Sequence, residues 1–358
     1  MQQELTGSLV ATAAYVGSQG RNLFLRSVAN NITGLIQTSP TAAATVIREF
    51  SIVNGTSMQN PYAEVDYKTS GGHDSYNALQ LSLTRRSTNG LSVNGQYTYG
   101  YSKGNTAGSN EALTAANNAR AIEEFDYDDG YNNFDVRHTF NLSAIYNFAG
   151  EGALKGGWML GGILNARSGL PVNVLIQRND VVYVDGLGNV FNNPAVGRAA
   201  VINTPRGGSS RNVRRPNVVP GVDPYVKDGG LVFLNPAAFS TPAPGTFGDL
   251  ERNSIHGPSF RQFDLVVAKK IPFGGRGPNA ELRMEVFNLF NIDNFINPAG
   301  TLPNALPNNS LTEANKVQPD QPFTGAAAGN WGKMSSTLSR TVGLGTNRQI
   351  QFAFRLNF

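Results

Sequence analysis

The stretch LSVNGQYTYGYS, residues 91–102, alternates apolar and polar side chains. Its odd positions hold leucine, valine, glycine and three tyrosines, and its even positions are mainly serine, asparagine, glutamine and threonine. Because successive side chains of a β-strand point to opposite faces, the pattern predicts a strand with one apolar and one polar face. Residues Leu79–Thr84 alternate in the same way, and Asn89-Gly90 between the two stretches is a pair that tight hairpins favour.

The alternation recurs along the chain and predicts about eight antiparallel strands. The other alternating stretches are Leu5–Val16, Val136–Phe148, Trp158–Arg167, Gln262–Val267, Leu282–Phe287 and Gln349–Phe358. Long and short connections alternate between the strands. The long connections are rich in Asn, Gly, Pro, Ser and Thr, and they are Gly17–Tyr62, Lys103–Phe134, Gln177–Ser259 and Asn291–Arg348. Short connections lie at Ser87–Gly90, Ala149–Gly157 and Gly274–Asn279.

The composition excludes several classes of protein. The 358 residues contain no cysteine, which rules out disulfides, zinc–thiolate sites and a cysteine nucleophile. Charged residues make up 15% of the chain, and the net charge of +4 is too small to indicate a nucleic-acid partner. No apolar stretch is long enough for a membrane helix. The first residues, Met1–Leu5, lack a basic and an apolar region, so we expect no signal peptide.

Two interpretations of the alternation compete. In a soluble β-sandwich the apolar faces pack together, whereas in a transmembrane barrel they contact lipid. The barrel is favoured because several stretches reach the roughly 9–11 residues that cross a bilayer, aromatic residues lie toward the ends of the apolar faces, and long loops alternate with short turns. The charged residues of these stretches also fall on the polar faces, and they are Arg137, Arg167, Asp264, Arg283, Glu285 and Arg355. We therefore predict an all-β, antiparallel up-and-down transmembrane β-barrel.

The order of the connections also predicts an orientation. Outer-membrane barrels have short periplasmic turns and long extracellular loops. If Ser87–Gly90 is a periplasmic turn, the strand that begins at Leu91 runs outward. Counting onward, the last strand runs inward, and the C-terminus is expected in the periplasm of a Gram-negative type of cell.

The chain resembles the C-terminal part of a TonB-dependent outer-membrane receptor of the Oar-like type, which carries a carboxypeptidase-regulatory-like N-terminal module. The resemblance extends in order over nearly the whole chain, although each motif alone is weakly specific. Its strongest segment is ELRMEVFNLFN, residues 281–291. The other resembling segments are Ala14–Leu23, Ser75–Gln80, Phe134–Phe140, Gly157-Trp158, Ser168–Pro171, Asn235–Phe239, Asn294-Phe295, Asn297-Pro298 and Gln351–Phe358.

The resemblance implies a function and a set of partners. Receptors of this family bind a large or scarce solute through external loops and a plug domain, and TonB supplies energy by pulling on the plug. Residues 1–358 show neither the plug nor a TonB-contacting segment, so we expect an incomplete barrel wall with long external loops that reaches the TonB complex only through a missing N-terminal plug. The expected surroundings are outer-membrane lipid and lipopolysaccharide. The sequence does not identify the solute.

Three other functions remain open. A surface adhesin or structural outer-membrane protein would bind partners through the same long loops, and a passive porin would let solutes diffuse through the lumen. A soluble carbohydrate-binding β-module would fold without detergent.

The last strand resembles a second feature of such barrels, a signal for their assembly. An alternating final strand that ends on an aromatic residue resembles the signal read by the barrel-assembly machinery, which we expect as a partner. The residues of this signal are Phe352, Phe354, Leu356 and Phe358.

Few residues suggest a ligand-binding, metal-binding or catalytic role. Arg206, Arg211, Arg214 and Arg215 form a basic cluster in the longest loop that could bind an anionic ligand or lipopolysaccharide phosphates. The acidic segment Asp126–Gly130 resembles a calcium loop but lacks the bidentate glutamate. The three histidines, His73, His138 and His256, have no ligand spacing, and the glycines at 186–188 and 332 have no phosphate-loop context. We therefore predict no enzyme activity, catalytic residue, metal or cofactor, and no nucleic-acid binding.

Overall fold

The wall of the protein is one antiparallel sheet. The computed structural model describes residues 1–55, 57–63, 65–106, 125–204, 214–273, 278–339 and 344–357. Within these ranges, ten strands form the sheet, and nine of them are neighbours in chain order. These nine are β1 Gln2–Thr6, β2 Leu9–Ala29, β3 Val65–Thr88, β4 Leu91–Gly104, β5 His138–Asn147, β6 Trp158–Arg167, β7 Phe260–Pro272, β8 Asn279–Phe287 and β9 Gln349–Asn357. The tenth, Gly130–Tyr131, pairs with β4. Strands β1 and β9 are the two edges, so the wall is an open sheet.

The all-β, antiparallel prediction is confirmed, but the first strands are longer and more numerous than predicted. The stretch Leu5–Val16 is divided by a turn at Gly7-Ser8 into β1 and β2. Strand β2 continues to Ala29, where a long loop had been predicted from Gly17, and it pairs with β3 along its whole length. The prediction failed there because both faces of these segments are largely polar. A strand that projects from the membrane into water has no apolar face, and therefore no period of two.

The register places all the predicted apolar faces on the same side of the wall, which we call the outer face. One row of paired residues on this face crosses six strands and consists of Leu91, Tyr146, Leu160, Val267, Met284 and Phe352. A row on the opposite face, the inner face, crosses five strands and consists of Ser82, Gln96, Asn141, Asn165 and Gln262. The wall therefore has one apolar and one polar surface.

The large apolar side chains of the outer face are exposed. Leu81 is 41% exposed, Leu160 is 40% exposed and Phe352 is 76% exposed. A soluble sandwich would bury such a face against a second sheet. Exposed apolar patches of this extent indicate contact with a membrane or a partner.

The two ends of the wall differ in their connections. Short connections join β1 to β2, β3 to β4, β5 to β6 and β7 to β8 at one end, which we call the turn end. The predicted hairpin at Asn89-Gly90 is present there, and both residues have the positive φ angles, 53° and 80°, that a tight primed turn requires. Four long connections leave the opposite end. The predicted alternation of long and short connections is confirmed.

The long connections contain short elements of their own. The helices among the described residues are α1 Gly152–Lys155, α2 Pro194–Gly197 and α3 Gly325–Ala328, and the 3-10 helices are Phe125–Asp128 and Pro236–Ala238. Small strands lie at Ile32–Ile36, Thr45–Arg48, Ile52–Asn54, Ser57–Gln59, Pro171–Val172, Leu175–Ile176, Val181–Val184, Val190–Phe191, Ala199–Ile202, Asn217–Val218, Phe239–Ser240, Ile255–His256 and Thr301–Leu302. No helix in the described ranges has the length and hydropathy to cross a membrane.

Candidate functional site

The long connections fold into one body, which we call the loop assembly. Its apolar core joins the β6–β7 connection, residues 168–259, to the β8–β9 connection, residues 288–348. Val174, Leu234 and Phe323 in this core are at most 1% exposed. The remaining buried members are Val172, Ile176, Ala238, Phe239, Leu250, Ile255, Leu302, Ala305, Val317, Ala327, Ala328 and Trp331. The dry core of this protein thus lies in its loops, while the apolar face of its wall is exposed.

Hydrogen bonds attach the other two long connections to this body. In the β2–β3 connection, the Gln37 side chain donates to the Arg198 carbonyl at 2.6 Å and accepts from the Ala200 amide at 3.0 Å. In the β4–β5 connection, the Tyr131 carbonyl accepts from Asn253 Nδ2 at 2.7 Å. The β6–β7 connection therefore contacts each of the other three.

The loop assembly also reaches the inner face of the wall. Gln262 of β7 lies on that face and is 1% exposed. Its Oε1 accepts from the Gly345 amide at 2.7 Å, and its Nε2 donates to Asp264 at 2.8 Å. Asp264 in turn accepts from the Asn288 amide at 2.8 Å. These contacts bind the loop assembly to the polar side of the wall at the loop end of β7.

Two arginines of the predicted basic cluster are described, and each is bound within the loop assembly. Arg214 Nη2 lies 2.7 Å from Asp180 Oδ1, and Arg214 Nη1 donates to the Arg178 carbonyl. Arg178 itself donates to carbonyls of Thr246 and Ala243 at 2.8 and 3.0 Å. Burial is the main cause that lowers the pKa of Arg178, to about 10, so it stays protonated at neutral pH.

Arg215 is more deeply buried than Arg214 and holds the acidic segment in place. Its side chain is 1% exposed, and its Nη1 lies 2.8 Å from Asp128 Oδ1. Its guanidinium also stacks over the Tyr127 ring, with the Cζ atom 3.8 Å from the ring centroid. Arg206 and Arg211 lie outside the described residues, so ligand binding by the cluster stays a prediction.

Beside Arg215 lies a polar cleft with a volume of about 540 Å³. Its wall side is formed by His73 and Lys103, near the loop ends of β3 and β4. The loop assembly contributes the remainder, including Asp126, Tyr127, Asp129, Asp249 and Glu251. His73 Nε2 lies 2.9 Å from Asp129 Oδ1. The cleft thus combines carboxylates with cationic groups, which suits recognition of a polar solute.

A buried arginine that the sequence did not single out supports this cleft. Arg252 is fully buried and donates to the carbonyls of Gly104 and Gly130. Burial is the largest cause that lowers its pKa, to about 10. It therefore remains charged at neutral pH and joins β4 to the β6–β7 connection. A lone arginine in a loop has no periodic signal, which explains why sequence patterns missed it and Arg178.

The remaining sequence candidates occupy separate places. His138 Nδ1 lies 2.8 Å from Tyr97 Oη on the outer face, and His256 Nε2 lies 3.9 Å from Asp135. No cluster suited to a metal ion occurs among the described residues. The glycines at 186–188 form a hairpin turn in which Asp185 accepts from the Leu187 and Asn189 amides.

The residues of the predicted assembly signal lie on an edge strand. Phe352, Phe354 and Leu356 of β9 are 76%, 63% and 46% exposed on the outer face. Phe358 lies outside the described residues. The structure contains no partner chain, so recognition by the assembly machinery stays a prediction.

An apolar outer face, a polar inner face and a loop assembly that is hydrogen-bonded to the inner face define a β-wall of the membrane-spanning class. The family comparison agrees, since residues 1–351 match the family described as Outer membrane beta barrel domain. The chain belongs to this family, and it is an outer-membrane protein. A comparison with curated proteins finds no match.

Proposed function

We propose that this chain is the barrel wall and external loop assembly of a TonB-dependent receptor for energy-coupled uptake of a scarce solute. The observation that supports this function most is the cleft of about 540 Å³ on the loop side of the wall. A passive pore needs an open lumen, whereas a receptor needs a built surface that binds the solute first. Four long connections with a shared core provide such a surface.

The proposal includes the membrane orientation and the arginine cluster that were predicted from the sequence. The loop assembly faces the outside, and the turn end and the C-terminus face the periplasm. The predicted ligand cluster is Arg206, Arg211, Arg214 and Arg215, which belong to one loop of the sequence. The chain performs no bond chemistry. Its further partners are the barrel-assembly machinery, which reads β9, the TonB complex, which acts through a plug, and lipopolysaccharide around the wall.

Uptake by whole cells tests the proposal. Cells with and without the gene are compared for accumulation of labelled ferric siderophores, cobalamin, oligosaccharides and peptides, each with and without a protonophore. We expect gene-dependent uptake of one class that stops when the proton gradient is removed. Uptake that persists without the gradient would instead identify a passive porin. Gene-dependent adhesion without uptake of any class would identify an adhesin.

Substitutions of residues that line the cleft test whether the cleft binds the transported solute. Asp126→Asn combined with Glu251→Gln removes two charges from the cleft lining and is expected to lower uptake several-fold. Asp228→Asn is the matched control, because Asp228 is an exposed loop carboxylate whose contact is with the nearby Gly230 amide. Equal uptake by both variants, at equal surface levels, would exclude the cleft as the solute site.

A further inference from the structure

Two apolar grooves lie side by side on the outer face, at its turn end. Their volumes are about 510 and 370 Å³, and Trp158 and Val267 line both. The larger groove extends to Phe352 and Phe354, and the smaller one to Phe148. The register places Trp158 and Val267 on the outer face, so these grooves open toward the membrane.

The turn beside the grooves exposes apolar side chains. Leu154 in the β5–β6 turn is 87% exposed, and Trp158 at the start of β6 is 41% exposed. Trp158 Nε1 donates to the Leu154 carbonyl at 2.9 Å, which fixes the indole against the turn. Tryptophan side chains with one polar contact and one apolar face are typical of the membrane boundary. This turn therefore lies where headgroups meet acyl chains.

Two lysines place positive charge at the same point. Lys269 is 7% exposed, its Nζ lies 4.9 Å from the Trp158 ring centroid, and it donates to the carbonyls of Leu154 and Gly156. Because Lys269 is nearly buried, it contributes its positive charge at the base of the grooves. Lys155 in the same turn is exposed. With Glu151 nearby, the turn and Lys269 carry one net positive charge.

We propose that the grooves around Trp158, with Lys155 and Lys269, bind an anionic glycerophospholipid such as phosphatidylglycerol. The acyl chains lie in the two grooves, and the phosphodiester, which carries one negative charge, lies against the exposed Lys155 ammonium, where the charge of Lys269 adds to the attraction. The assignment to a phospholipid of the periplasmic leaflet rests on the orientation in the proposed function, since outer-membrane barrels have their short turns at the periplasmic side.

Fluorescence quenching tests this site without any measurement of uptake. The chain contains two tryptophans, and Trp331 is buried in the loop core, so a lipid with brominated acyl chains quenches mainly Trp158. The full chain is placed in phosphatidylethanolamine nanodiscs that contain a minor fraction of brominated phosphatidylglycerol or brominated phosphatidylcholine. Trp158→Phe measures the remaining signal of Trp331. Far-ultraviolet circular dichroism checks that each variant is folded.

We expect roughly fivefold preference for phosphatidylglycerol near Trp158, since one lysine at a membrane surface contributes a factor of about that size. Lys155→Gln should reduce the preference to less than about twofold, whereas Lys333→Gln, an exposed lysine of the loop assembly, should retain it. Equal quenching by both lipids, or an unchanged preference in Lys155→Gln, would refute the proposal. Loss of the preference when lipopolysaccharide is added would assign the site to lipid A phosphates instead. Absence of gene-dependent solute uptake would refute the proposed function, whereas the quenching result tests the lipid site separately.

Discussion

Replacement of Leu81 by arginine tests the assignment of the outer face to lipid. Leu81 lies on that face, paired with Tyr97 and Ala13, four residues from Arg85 on the same face. A rise of about 3.3 Å per residue and a tilt of about 40° place Leu81 about 10 Å deeper than Arg85. The apolar band of a barrel is about 25 Å tall, so Leu81 lies near its middle. An arginine there is expected to cost about 3 kcal/mol.

The matched control is Ser82→Arg, one residue further on. Ser82 lies on the inner face, where its neighbours Thr12 and Gln96 are polar. An arginine at Ser82 should change stability by less than about 0.5 kcal/mol, as surface substitutions commonly do.

Urea unfolding of both variants in phospholipid bilayers measures the difference. With a slope of about 2 kcal/mol per molar urea, Leu81→Arg should lower the midpoint by about 1.5 M, and Ser82→Arg should leave it nearly unchanged. Equal shifts for the two variants, or a larger shift for Ser82→Arg, would show that the outer face does not contact lipid.

Three further substitutions test the turn and the loops. Gly90→Ala should lower the free energy of unfolding in urea by more than about 1 kcal/mol, because φ is 80° and a Cβ would collide with the Asn147 carbonyl at the end of β5. Gly7→Ala, with open space around the residue, should cost less than about 0.5 kcal/mol, and similar costs would contradict this reasoning. Asn288→Ala removes two side-chain hydrogen bonds to the backbone carbonyls of Ile292 and Thr346. Proteolysis of the β8–β9 connection should therefore be faster, while the strands of the wall stay uncleaved. An unchanged rate of proteolysis would contradict this role of Asn288. Arg252→Met should raise hydrogen exchange at residues 125–131, since it leaves two carbonyls unbonded, and unaltered protection there would argue against this role.

The sequence predicted those parts of the wall that lie in the bilayer. In residues 79–84 and 91–101 the outward side chains are mainly leucine, valine and tyrosine and the inward ones are mainly polar, so side-chain chemistry follows the geometry of the strand. The same physics makes the Asn89-Gly90 turn predictable, because few other residue pairs adopt two positive φ angles.

The loops could not be predicted in the same way. The core contact between Phe239 and Trp331, with ring centroids 5.3 Å apart, joins residues of two different connections. No local period links such residues, since they meet only after the strands have brought the loops together. The cleft has the same origin: Lys103, Asp126 and Glu251 lie on three separate segments.

The buried apolar core of the loop assembly also determines which kind of epitope the protein presents to antibodies and phages. A surface whose shape depends on contacts between the β6–β7 and β8–β9 connections presents discontinuous epitopes. Antibodies or phages that bind the intact cell would therefore recognise folded combinations of loops, and short synthetic peptides copied from any single loop would compete poorly for them.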